Sequence, residues 1–138
     1  MWGADDPDNR KPLWWKDVVM ESETPFDERG GNYKEVPIFD DSTFDYYASL
    51  CRLRKANPAL QRGSYNFKRE WISMGIMAYT RELNDQQLYI LINGENEEKS
   101  MPLEKLKGYR PLFSQGAQVD NQQISFAPYA GIVLKRDR

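Results

Sequence analysis

The chain has 138 residues, one cysteine, no histidine and a net charge of −2 with acids and bases interspersed. That mixture offers no basic patch to nucleic acid or anionic membrane, and a lone Cys51 without histidine gives no basis for a disulfide, zinc or redox centre. No apolar run approaches the ~20 residues that span a bilayer, and nothing fixes the compartment. Residues 1–42 are rich in proline and acids and read as one long irregular loop, which suits an active-site loop lying on a larger scaffold. Inside it, Asp5-Asp6-Pro7-Asp8-Asn9-Arg10 precedes Trp14-Trp15. Carboxylates, a guanidinium and aromatic faces together suit a ligand rich in hydroxyl groups. A solvated acidic turn anchored by two aromatics is the plainer alternative. Asp8 and Asn9 fit a turn-shaping role. Trp14 and Trp15 could stack on a sugar or, beside Val18 and Val19, anchor the loop. Asp5, Asp6 and Asp8 lack the ligand spacing of a calcium loop. They also lack the support that would hold two catalytic carboxyls across one bond.

Asp41 and Ser42 are N-cap candidates for a helix over 43–56. Phe44, Tyr47, Ala48 and Cys51 form its apolar stripe, widened by Leu50, and the stripe predicts a buried, inert thiol. Pro58 disfavours helix at Asn57 and should end it. Arg54 and Lys55 suit the helix C-terminus and read as surface capping. From Ser64 the pattern becomes β. Strands are expected at 71–82, 87–93, 100–103, 110–113, 122–126 and 131–135, with a turn at Asn84-Asp85. The run Leu88-Tyr89-Ile90-Leu91-Ile92 predicts a central strand covered on both faces. Trp71, Tyr79, Tyr89, Tyr109, Phe113, Phe126 and Tyr129 read mainly as core. Short strands at this spacing suggest a sandwich or Greek-key barrel.

Three motifs in order resemble the α-amylase family, glycoside hydrolase family 13, in its cyclomaltodextrinase, neopullulanase and cyclodextrin glucanotransferase branch. They are Gly3 with Asp6-Pro7-Asp8-Asn9-Arg10, then Leu53-Arg54-Lys55-Ala56-Asn57-Pro58-Ala59-Leu60 with Gly63, then Phe126-Ala127-Pro128-Tyr129-Ala130-Gly131. The resemblance implies a mainly β chain: an irregular loop and one α-helix from the end of a TIM barrel, then an antiparallel Greek-key β-sandwich. Residues 1–62 would be the barrel remnant and 63–138 the C-terminal β domain. A whole barrel takes about 250 residues. The catalytic nucleophile, acid/base and stabilising carboxylates of such enzymes would all lie on strands before Met1. The chain alone should therefore be inactive and carry no catalytic residue. The parent would hydrolyse α-1,4-glucans with retention. There Asp6 and Arg10 would bind a sugar beyond the cleavage point, although a structural salt bridge is the rival reading. The implied partners are the missing barrel domain and, through the parent, an α-glucan or maltooligosaccharide. No cofactor is implied; calcium is conceivable in the parent, with no site evident in these residues. The alternative is a β domain that binds starch or maltooligosaccharide by itself, or one that is purely structural.

Overall fold

A computed structural model describes residues 15–19 and 39–136. The chain divides within its first helix, after Tyr47, into two units. In the first, Asp40 is the residue that caps helix α1 (Asp41–Ala56). Its Oδ1 accepts from the Ser42 and Thr43 amides at 2.9 and 3.2 Å. Its Oδ2 accepts from the Thr43 hydroxyl at 2.6 Å. Asp41 instead pairs with Lys16 at 2.7 Å on the surface.

The second unit begins inside α1. The helix stops at Ala56, as Pro58 requires, and a single turn, α2 (Pro58–Arg62), follows. Six strands then form one curled antiparallel sheet. They are β1 (Ser64–Phe67), β2 (Ile76–Leu83), β3 (Gln86–Asn93), β4 (Lys99–Pro102), β5 (Tyr109–Val119) and β6 (Gln123–Arg136). The mainly β, antiparallel architecture expected from the sequence is present. β1, β2 and β3 are neighbours in sequence and in space, and β3 then pairs with β6.

β6 organises the sheet. Along one edge it pairs with β5 from Ile124 to Arg136. Its other edge serves two partners in turn: β4 against residues 123–126 and β3 against residues 131–135. The sequence predicts two strands here, 122–126 and 131–135. Instead the chain runs through Ala127–Ala130 as a bulge, with Tyr129 at φ 56°. β5 breaks register opposite, between Gln115 and Ala117, with Gly116 at φ 66°. Paired bulges bend a strand and raise its twist, so one strand can turn a corner and serve both layers of the curl.

The core lies inside the curl. Ile76, Ala78, Leu91, Met101, Leu106, Ile124, Phe126, Ile132 and Leu134 are buried there with Trp71. Trp71 stacks on Tyr89 at 5.4 Å, and Tyr109 meets Tyr89 edge-on at 5.1 Å. β3 is covered on both faces: Leu88 and Ile90 face a second cluster with Ala59 and Val133. Two expectations fail nearby. The segment Arg69–Met74 is a 3-10 helix rather than the start of a strand, because Gly75 in the left-handed region (φ 72°) closes it. Cys51 is exposed, not buried. α1 has no buried residue among those described, and Phe44 and Tyr47 of its stripe are 47% and 64% exposed.

Candidate functional site

Asp6, Arg10 and Trp14 lie outside the described residues. Trp15 is described and is 56% exposed, with Val18 and Val19 exposed beside it. Among the described residues no cluster of three or more acidic, histidine or cysteine side chains could hold a metal ion.

The second motif is a joint. Asn57, 7% exposed, donates from Nδ2 to the Leu53 carbonyl at 2.8 Å. Its Oδ1 accepts from Gln86 Nε2 at 2.9 Å, while Gln86 Oε1 accepts from the Ala59 amide at 2.9 Å. One amide pair thus ties the helix end to the start of β3. Arg54 donates to the Leu60 carbonyl at 2.6 Å, so it bridges from α1 to the backbone of α2 rather than capping the end of its own helix. Gly63 closes the turn: a Cβ there would stand 2.5 Å from the Ala59 carbonyl oxygen. Leu53 and Leu60 pack against the cluster of Leu88, Ile90 and Val133.

Beyond this joint the outer face of the sheet stays apolar and partly open. Met77 is 44% and Tyr65 60% exposed. The Tyr65 ring lies 5.0 Å from Tyr79, whose hydroxyl pKa is raised by burial and by Tyr65 beside it. A cavity of ≈ 480 Å³ lies where Pro58 and the Asn84-Asp85 turn meet Arg110, Lys135 and Arg136.

A third feature, at the bulge within β6, has no counterpart in the sequence pattern. Asn93 is wholly buried. Its Nδ2 donates to the carbonyls of Glu97 (2.7 Å) and Ala127 (2.9 Å), and its Oδ1 accepts from the Glu95 amide (3.1 Å). The Tyr129 amide donates to the Glu95 carbonyl at 3.1 Å. The 94–98 loop is thereby clasped to the β6 bulge, and Tyr129 projects from it at 67% exposure rather than joining the core. Lys99 pairs with Glu95 at 2.7 Å and Glu97 at 3.1 Å, and these two carboxylates raise its pKa. A groove of ≈ 750 Å³ is lined by Lys99, Ser100, Gln118, Gln123, Ser125 and Ala127 among others.

Comparison with known proteins matches residues 76–133 to the alpha-amylase SusG C-terminal domain. Oligo-1,6-glucosidase of Bacillus cereus is 30% identical over 139 residues, covering 91% of this chain and 25% of the relative. Neopullulanase 2 of Thermoactinomyces vulgaris is 26% identical over 145 residues, covering 100% of this chain and 22% of the relative. The chain therefore spans about a quarter of the length of these relatives. Two solved structures share the fold. Eubacterium rectale Amy13B superposes with a TM-score of 0.60 at 17% identity, over 69% of this chain and 20% of that one. Bacillus licheniformis trehalose-6-phosphate hydrolase gives 0.56 at 24% identity, over 69% and 18%. With the helix–sheet joint and the curled antiparallel sheet in place, residues 76–133 form an alpha-amylase SusG C-terminal domain.

Proposed function

We propose that the chain acts as the C-terminal part of an α-glucan glycosidase that works with retention of configuration. The match of residues 76–133 to an amylase C-terminal domain carries this reading. The partly open face around Tyr65, Met77 and Tyr79 supports it, since exposed apolar residues grouped on one sheet face suit a partner surface. A catalytic barrel is the partner proposed, and it would supply the carboxylates of a double displacement, about 5–5.5 Å apart. Asp6 and Arg10 would contribute a sugar-binding pair. An ionised carboxylate accepts and a guanidinium donates, so together they satisfy both halves of a sugar hydroxyl. Barrel enzymes carry such contacts on loops at one rim.

The test joins this chain to Thermoactinomyces vulgaris neopullulanase 2 in place of the segment that it matches. The chain alone should release no sugar from maltooligosaccharides, and the joined protein should. In it, Arg10→Ala should lower kcat/KM for long substrates roughly tenfold to a hundredfold, from the loss of charge-assisted hydrogen bonds. Substrates too short to reach Arg10 should be spared. Turnover by the chain alone, or a folded but inactive joined protein, would refute the reading. Equal losses on long and short substrates would make Asp6 and Arg10 a structural pair.

A further inference from the structure

We propose that Asn93-Gly94 is a modification site, a deamidation site that the folded domain holds shut and that opens when the 94–98 loop lifts from the β6 bulge. The pair itself sets the chemistry. The Gly94 backbone nitrogen attacks Cγ of the Asn93 carboxamide and gives up its proton. The Cγ–Nδ2 bond breaks and ammonia leaves. One water then opens the resulting succinimide ring, giving aspartate or isoaspartate at position 93. Asparagine is a thermolabile residue, and a following glycine has no side chain to crowd the attacking nitrogen. Asn93-Gly94 is the only such pair in the chain. Asn57 precedes Pro58, whose nitrogen has no proton to lose. Asn84 and Asn96 are exposed but precede Asp85 and Glu97, whose side chains hinder the attack.

The fold opposes this reaction at each atom that takes part. Attack requires the carboxamide to turn towards its own following peptide. Both Nδ2 donors are held by the Glu97 and Ala127 carbonyls at 2.7 and 2.9 Å, and Oδ1 is held by the Glu95 amide at 3.1 Å. Burial of Asn93 also keeps water from the ring that would form. The gate is nevertheless a local one. Residues 94–98 are all exposed, so the loop can lift without uncovering core, while Leu91 stays buried behind it. Openings of this kind take far less free energy than global unfolding. The change runs one way. An aspartate at position 93 has no donor for the two carbonyls that the amide served, and burial penalises its charge. Isoaspartate adds one carbon to the main chain at the end of β3. A modified chain therefore cannot close the clasp again, and the Tyr129 corner loses the amide that fixes it. Each molecule records how long its clasp has stood open.

Ageing the full chain in warm, mildly alkaline buffer tests the site, with peptide mapping by mass spectrometry and enzymatic methylation of isoaspartate as readouts. Asn93 should be the first asparagine to convert. The chain unfolded in urea should convert about tenfold or more faster than the native chain. Urea too dilute to unfold the domain should leave the native rate almost unchanged, as a local opening requires. Gly94→Ala should slow conversion severalfold in the unfolded chain and leave the native fold intact, because a Cβ at Gly94 meets nothing within 4 Å. The aged form, separated by ion exchange, should exchange its Glu95 and Tyr129 amides faster while Leu91 stays protected. Equal native and unfolded rates overturn the proposal, as does earlier conversion of Asn84 or Asn96. A native rate that climbs steeply with dilute urea places the reaction in the unfolded chain and removes the gate. An aged form whose Glu95 and Tyr129 amides exchange as before removes the one-way step.

Discussion

Asn93→Ala should cost the domain ~2–3 kcal/mol and loosen the Tyr129 corner. The side chain is wholly buried and makes three hydrogen bonds of 2.7, 2.9 and 3.1 Å. Each such bond contributes about 0.5–1.5 kcal/mol net, and a buried partner left unpaired costs more. The three backbone partners belong to exposed residues, so water can partly replace the amide, which keeps the total below the upper sum. For a domain of this size the loss corresponds to a fall in Tm of roughly 5–15 °C. Urea unfolding followed by fluorescence reads it, because Trp71 is 3% exposed in the core. Amide exchange at Glu95 and Tyr129 should quicken by more than global stability alone predicts. Asn93→Asp sharpens the test. A carboxylate there would face two carbonyl oxygens, so burial and repulsion would raise its pKa. The damage should grow as pH rises from 4 to 7. A loss under about 1 kcal/mol, or Asn93→Asp behaving alike at both pH values, would show that the clasp is not held by this amide.

Gly63→Ala should destabilise the helix–sheet joint by roughly 1–3 kcal/mol in the same urea assay, because its Cβ would meet backbone oxygen at 2.5 Å that has no flexible end to yield. The Asp40 carboxyl is held down at about 2 by hydrogen bonds from Ser42 and Thr43. Its folded pKa lies below the ordinary 3.8, so the cap is fully present above pH ~4 and is lost as pH falls towards 2. The Ser42 and Thr43 amide resonances should follow that titration, and Asp40→Ala should remove it.

Much of the β domain was legible because the period-2 signal survives wherever strands are regular. The Leu88–Ile92 run is a central strand with both faces covered, and Pro58 ended α1 where its ring forbids helix at Asn57. What failed depended on backbone conformation or on covering surfaces. Alternation along the strand predicts Tyr129 in the core, but it runs through a bulge that turns the residue outward. The same bulge makes one strand read as two. The helical stripe predicts a buried Cys51, but a stripe shows which face is apolar and not whether anything covers it. The groove side chains Ser100, Ser125 and Gln118 could not be grouped at all: they are close only through strand pairing, which no local pattern encodes.

The part played by β6 bears on how the domain is made. During synthesis every partner of β6 leaves the ribosome before it does, because β6 is the last described element in sequence. Until then β3 has one long edge open, and β4 and β5 have no strand to join. Leu91 and Ile90 must wait with the apolar faces that β6 will later cover. At about 5–20 residues per second, its 14 residues take on the order of a second or more to translate. For that interval the nascent chain shows an unpaired, strongly apolar edge, the kind that seeks another strand. A ribosome that stalls or stops before Gln123 would release an adhesive product rather than a smaller domain. Quality control of this protein thus turns on one late stretch of chain, whatever the stability of the finished fold.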